Sequence, residues 1–247
     1  LNLKDVKLAN DSKPFNLSFF ENEIVSITGL IGSGKTALAS QIFGLNPDPK
    51  VTMTLNGNSY SPQSPEHAIS AGVFMCPKDR ASNAVVSEFD ISNNLALPFF
   101  KRHSRLSFIR NKSLTQNARN SINELGIVCQ SEMDSVTTLS GGNQQKVMVG
   151  RWLAEDSFVL LLDEPFQGVD IKARRDIGHQ IRSTSRQRAT IIFVAELDEA
   201  LEIADRVIVL HEGNLVGDYQ NKSKNIPKIV SSFSGSANNL DSANYGT

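Results

Sequence analysis

Three short stretches of this chain carry residue types and spacings that could do chemistry. In Gly29-Leu30-Ile31-Gly32-Ser33-Gly34-Lys35-Thr36, a glycine, four residues and Gly-Lys-Thr stand between the apolar run Ile24 to Ile27 and a helix-like segment from Thr36 to Phe43. Successive backbone N–H groups of such a loop converge on one anion, together with the positive end of the helix that follows. Gly29, Gly32 and Gly34 permit positive φ and close backbone approach around Ser33. Lys35 can reach the β- and γ-phosphates of a nucleotide as a point charge, and the Thr36 hydroxyl can ligate magnesium. The second stretch, Asp163-Glu164-Pro165, ends the apolar run Phe158 to Leu162. An aspartate there suits the water shell of a magnesium ion, and the adjacent glutamate can orient or deprotonate an attacking water, which points to hydrolysis. In the third, Ser140 followed by Gly141 and Gly142 opens a helix and offers a hydroxyl and backbone amides to a second anion. A single nucleotide rarely needs both cradles from one polypeptide, so the economical arrangement is a head-to-tail pair in which each γ-phosphate meets the partner's Ser-Gly-Gly helix. The plainer alternatives are a Gly-rich turn, a strand closed by turn residues and an N-cap serine.

The elements that must hold these stretches follow from periodicity. Residues 1 to 28 alternate apolar and polar positions around the turn Asn10 to Pro14, which predicts strands packing beside the one that feeds the glycine loop. Val51 to Leu55 is a β-branched run closed by Asn56-Gly57, a hairpin signal, with a return strand expected at Ser59-Tyr60. A short helix is expected over Pro65 to Ala71 and a buried strand over Gly72 to Cys76. From Lys78 to about Val136 the chain turns polar and helical, with helices expected at Asn93 to Phe100, Leu106 to Arg110 and Lys112 to Gly126. The remainder alternates: helix 172–186, strand 190–194, helix 197–204, strand 206–210 and a hairpin at Glu212-Gly213-Asn214. Trp152 is expected in a core, and the tail from Ser234 has few apolar residues to bury, which predicts disorder.

Composition sets the outer limits. A chain of 247 residues, 40% hydrophobic, can build one large core or one domain carrying an insert. Lys+Arg of 25 against Asp+Glu of 26 leaves a formal net charge of -1, so no global field recruits nucleic acid or an anionic membrane. Cys76 and Cys129 have neither CxxC spacing nor a histidine cluster and read as reduced apolar residues. The longest apolar run falls far short of the roughly 20 residues of a membrane-spanning helix. A cytoplasmic chain, or an excised piece of something longer, is expected.

Over about residues 1 to 220 the chain resembles the ABC-transporter ATPase family. Gly29 to Thr36 is similar to Walker A, Leu139-Ser140-Gly141-Gly142 to the signature, Leu160 to Pro165 to Walker B and Gly168-Val169-Asp170 to the D-loop. The wording around Lys78-Asp79-Arg80, Asn143 to Val147, Pro165 to Asp170 and Glu196 to Glu199 resembles the C-terminal half of fused double-ATPase subunits of bacterial importers for ribose, galactose, xylose, autoinducer-2 or nucleosides. The resemblance implies an α/β P-loop NTPase fold of the ABC type, with a mostly parallel core sheet, an antiparallel β subdomain and an inserted helical subdomain. It places the α/β core at 1–79 and 150–220, the helical insert at about 80–149 and a largely flexible tail at 221–247. It implies ATP and Mg2+ as cofactors. Gly29, Gly32, Ser33, Gly34, Lys35, Thr36, Ser140, Gly141, Gly142 and Asp170 would contact nucleotide, Thr36 and Asp163 the metal, and Lys35, Glu164 and Glu196 would act in catalysis. Implied partners are an N-terminal ATPase half or a second ATPase chain, a membrane permease and, indirectly, a solute-binding receptor, at the cytoplasmic side of the membrane; nucleic acid is not among them. Three departures bear on rate. Pro77-Lys78 stands where the family has a glutamine, Glu196 where it has a switch histidine, and no aromatic lies near Val6 to Ala9 to stack on adenine. Two other readings stay open: a half that holds ATP without cleaving it, and a non-transport ABC ATPase, which would predict a basic surface or a long coiled-coil insert.

Overall fold

The computed structural model describes residues 1–78, 85–105, 108–109 and 111–235. It divides into two compact units, the first comprising Leu1–Met75, Ser157–Glu164 and the chain from Ser185, the second Cys76–Asp156 with Pro165–Thr184.

The first unit holds two sheets. Strands β1 (Asn2–Val6) and β2 (Phe15–Ser18) lead into β3 (Ile24–Thr28) and helix α1 (Lys35–Ile42), then β4 (Thr52–Leu55), β5 (Asn58–Ser59), α2 (Pro65–Ser70) and β6 (Val73–Cys76). β1 and β2, expected beside the strand that feeds the glycine loop, instead hydrogen-bond with β4 and β5 in a separate antiparallel sheet of order β2-β1-β4-β5. Their half-buried pattern is the reason: Leu3, Val6 and Leu17 go inward while Asn2, Lys4 and Asp5 stay exposed, which suits a sheet covered on one face. The β4–β5 turn has Asn56 at φ 50° and Gly57 at φ 81°, both left-handed, as a two-residue hairpin of that sequence requires.

The core sheet runs β12-β11-β3-β10-β9-β6, built by adding β9 (Val159–Asp163), β10 (Ala189–Val194), β11 (Arg206–His211) and β12 (Asn214–Gln220). β11, β3, β10 and β9 are mutually parallel, and β12 turns back antiparallel on β11. Every residue of β3, β9 and β10 is buried, as continuous apolar strands of a parallel sheet must be. Register aligns Ile27 with Phe193 and Phe193 with Asp163, so the carboxyl ends of β3, β10 and β9 come level along one edge. At about 4.8 Å per strand, the loops leaving β3 and β9 start roughly 10 Å apart.

The second unit is helical: α3 (Ile91–Ala96) with a 3-10 turn after it, α4 (Asn111–Leu125), α5 (Gly141–Leu153) and α6 (Ile171–Ser183). Its core joins Ile91, Leu95, Ala118, Leu125, Ile127, Val136, Leu139 and Val147. Trp152 is buried, edge-on to Phe99 with centroids 5.8 Å apart. The unit takes in residues 165–184, beyond the insert of about 80–149 that the sequence suggests. The reason is packing of α6 on α5: a Cβ on Gly142 would lie 3.3 Å from Ala173, and Lys146 pairs with Asp176 at 2.7 Å. No helix forms at Phe108–Ile109 in the span Leu106 to Arg110 where one is expected, since Phe108–Ile109 (β8) pairs with Ser104–Arg105 (β7) as a short hairpin; Leu106, Ser107 and Arg110 lie outside the described residues.

Helices α7 (Leu197–Ile203) and α8 (Ile226–Phe233) complete the first unit. The flexible tail expected from 221 does not begin there. Ile229 on α8 is fully buried, and the Tyr219 hydroxyl meets Ser232 Oγ at 3.1 Å. Residues 236–247 lie outside the described chain.

Candidate functional site

The glycine loop leaves the central strand β3 and enters α1. Gly29 has no room for a side chain: a Cβ would fall 2.1 Å from the Leu210 carbonyl oxygen. Gly32 and Gly34 take φ of 82° and 101°, which β-carbon-bearing residues adopt only with strain. Gly34 caps α1 without a side-chain hydrogen bond, and no acidic residue occupies the first turn. The N–H groups of that first turn and the positive end of the helix dipole suit an anion. Ser33 Oγ is buried with no hydrogen-bond partner among the described residues. Lys35 is buried and folds its ammonium back over the loop, donating to Gly29 O at 2.5 Å and Leu30 O at 3.4 Å. Thr36 stands exposed on the first turn of the helix. An uncapped helix end, an orphan hydroxyl and an internal cation fit a triphosphate.

Two strands away, Asp163 ends β9 and is buried, the residue being 2% exposed. Glu164 follows at φ 50°, a left-handed conformation for a residue with a long side chain and hence a strained one. Two hydrogen bonds hold it there: its N–H donates to Phe193 O at 2.8 Å, and its Oε2 accepts from Ala195 N–H at 3.2 Å. The carboxylate is thereby fixed against the end of β10. Ala195 is a partner that no sequence signal announces, because only its backbone takes part. Among the described residues no three His, Cys, Asp or Glu side chains gather as a metal cage. One buried aspartate with one helix-terminal hydroxyl is what magnesium accepts when phosphates and waters complete its shell.

Glu196, immediately after Ala195, is exposed and starts α7 without capping it through its side chain. Glu164, Lys35, Asp163, Thr36 and Glu196 all belong to the first unit. Ser140, Gly141, Gly142 and Asp170 belong to the second. There Ser140 is the exposed N-cap of α5, its Oγ accepting from Asn143 N–H at 3.4 Å and Asn143 Nδ2 at 3.1 Å. Asp170 caps α6, its Oδ1 accepting from Ala173 N–H at 2.8 Å. Lys78 is exposed; Asp79 and Arg80 fall outside the described residues.

The residues after Ser-Gly-Gly prove to be an anchoring set. Asn143 Oδ1 accepts from Val128 N–H, Gln144 donates to Val136 O and Leu139 O, buried Gln145 donates to Pro165 O at 2.9 Å, and buried Lys146 donates to Gly126 O at 3.0 Å and to Asp176. Four consecutive polar side chains on a helix that buries Val147, Met148 and Val149 were the available signal, since such groups need partners.

The chain is similar to known ATP-binding proteins over most of its length. The arabinose import ATP-binding protein AraG of Pectobacterium atrosepticum is 34% identical over 94% of this chain and 46% of its own length. The xylose import ATP-binding protein XylG of Thermoanaerobacter pseudethanolicus is 36% identical over 87% of this chain and 43% of its own. The chain therefore spans a little under half the length of the curated relatives it matches. Among solved structures, the dimeric post-hydrolysis ATP-binding cassette MJ0796 bound to ADP and Pi superposes with a TM-score of 0.73 at 20% identity, covering 90% of this chain and 99% of that one, which shows a common fold. The family model described as ABC transporter matches residues 12–167, well over half of the sequence, and the chain belongs to the ABC transporter family.

Proposed function

We propose that this chain binds and hydrolyses Mg-ATP as one half of a head-to-tail nucleotide sandwich, and that the cycle drives import of a monosaccharide or similar small polar solute through a membrane permease. The observation that carries the reading is the uncapped N-terminus of α1 behind a glycine loop whose buried Lys35 is turned inward, level with Asp163 and Glu164 along the same sheet edge. The named roles of the relatives, arabinose and xylose import, support the solute class.

In this reading the amides of residues 34–36 and the Lys35 ammonium bind the β- and γ-phosphates. Lys35 exchanges its loop carbonyls for phosphate oxygens, a charge-assisted contact about twice as strong as a neutral hydrogen bond. Thr36 and Asp163 are the residues that would hold magnesium, which when bound neutralises charge developing on the transferred phosphoryl group. Glu164, held by Ala195 N–H through Oε2, keeps Oε1 to accept a proton from, or orient, an attacking water. Ser140 and the amides of Gly141 and Gly142 serve the γ-phosphate of the partner, an N-terminal ATPase half or a second ATPase chain. Glu196 stands after β10 where a neutral or cationic donor would serve better, so turnover is slow. The site works from the cytoplasmic face, with the solute receptor acting through the permease and no nucleic acid involved.

The test is equilibrium binding of a labelled ATP analogue with magnesium. Lys35→Ala removes most affinity on this reading; unchanged affinity overturns it.

A further inference from the structure

We infer that Asn143 is a positioning residue that fixes the polarity of the Ser140 hydroxyl, making it an obligatory hydrogen-bond donor toward phosphate. The inference rests on the reading of Ser140 as a γ-phosphate contact and adds how that contact is oriented.

A serine hydroxyl has one proton to give and two lone pairs to receive with. Both lone pairs of Ser140 Oγ are engaged by the same residue, through Asn143 N–H at 3.4 Å and Asn143 Nδ2 at 3.1 Å. The Asn143 amide cannot turn over to present its oxygen instead. Its Oδ1 accepts from Val128 N–H at 3.1 Å, and a backbone N–H can only donate. Val128 is itself held beside the end of α4 by Ile127 N–H donating to Ile122 O at 2.9 Å, while Lys146 secures the neighbouring Gly126 carbonyl. The polarity therefore runs one way, from Val128 N–H to Asn143 Oδ1, from Asn143 Nδ2–H to Ser140 Oγ, and from the Ser140 hydroxyl proton outward. Ser140 is exposed, so the proton has room to meet a ligand oxygen. An anion presents only acceptors, and a hydroxyl left free to rotate would offer it a lone pair part of the time. Preorganisation of this kind removes that unproductive orientation before the ligand arrives.

Replacement by aspartate is the discriminating variant because it keeps the shape and reverses the polarity. In Asn143→Asp the carboxylate oxygens would accept from Val128 N–H and also from the Ser140 hydroxyl, turning the serine proton inward and its lone pairs toward phosphate. Alanine merely frees the hydroxyl. The experiment uses the full chain in a Glu164→Gln background, so that ATP persists, and reads by light scattering the ATP concentration giving half-maximal association. Asn143→Asp should raise that concentration about tenfold or more, the size of one lost hydrogen bond to a charged group, and Asn143→Ala should raise it less. The urea midpoint of the nucleotide-free chain should stay in place for Asn143→Asp. In a Ser140→Ala background, Asn143→Asp should add less than about twofold, because the residue it acts through is gone. Parent-like association of Asn143→Asp, a greater loss for alanine than for aspartate, or an undiminished aspartate effect without Ser140 overturns the inference while leaving the sandwich standing; the last outcome would assign the loss to charge repulsion. Absence of ATP-driven association in the parent, or indifference to Ser140→Ala, overturns the reading of Ser140 and the inference with it.

Discussion

Glu164 shows why the residues of the candidate site are not interchangeable with their neighbours. A glutamate at φ 50° carries backbone strain of order 1–3 kcal/mol that its two hydrogen bonds to Phe193 and Ala195 must offset. Glu164→Gln keeps an acceptor for Ala195 N–H, so we expect stability within about 1 kcal/mol of the parent by urea unfolding, since that hydrogen bond survives. Phosphate release should nevertheless fall about a hundredfold or more, the usual worth of a positioned general base. An equal rate in Glu164→Gln would remove the role assigned to this carboxylate. Glu196 differs in being exposed, where water screens it. Glu196→His should therefore raise turnover by about tenfold at most, since a unit charge at 4 Å in water is worth only about one decade in rate. The identities of Lys35, Thr36, Asp163 and Glu164 were legible because spacing alone carries them. The Ala195 amide and the Val128–Asn143 chain were not, because backbone donors leave no mark in side-chain identity.

Among the elements, the glycine loop separates two kinds of glycine that look alike in sequence. A methyl at Gly29 would strike a backbone oxygen of β11 that cannot yield, whereas a methyl at Gly32 meets nothing within 4 Å and suffers only its positive φ. Gly32→Ala should cost about 1–2 kcal/mol and Gly29→Ala clearly more than about 3 kcal/mol, measured by denaturant unfolding; equal costs would contradict the close approach of Leu210. On α5, Lys146→Met removes a cation that is 5% exposed from a partner, Asp176, that is 37% exposed. Because the abandoned carboxylate can take up water, the expected loss is about 1–3 kcal/mol, below the roughly 3–5 kcal/mol of a fully buried broken pair. Legibility at this scale followed chemistry that is local. Asn56-Gly57 announced its turn through two residues that tolerate positive φ, and Gly213 did the same for the β11–β12 turn. The grouping of β1 and β2 with β4 and β5, and of α6 with the helical unit, depends on pairing and packing across long separations, which periodicity does not encode. α8 escaped notice because only Ile229 and Ser232 of its residues are buried, too few to set a helical period in the sequence.

For the whole molecule, the decisive fact is that the two features proposed to bind phosphate belong to different compact units, and that the chain covers a little under half of relatives such as AraG and XylG. If a site is completed only by Lys35 of one chain and Ser140 of another, hydrolysis per chain must rise with chain concentration, whereas a site complete in one chain gives a constant rate. Complementation makes the distinction sharper. Lys35→Ala abolishes the cradle of the chain that carries it, and Ser140→Arg obstructs the signature that the same chain would offer to its partner, so each variant alone assembles no intact site. Mixed in equal amounts, a two-fold pair containing one of each has one ruined site, carrying both lesions, and one intact site, built from the Lys35 of the Ser140→Arg chain and the Ser140 of the Lys35→Ala chain. With half of all pairs mixed and half of their sites intact, about a quarter of the parental phosphate release should return on mixing. Two inactive variants that stay inactive together, despite Ser140→Arg retaining ATP affinity by equilibrium binding, would show that the chain does not complete its site with a second copy in this geometry.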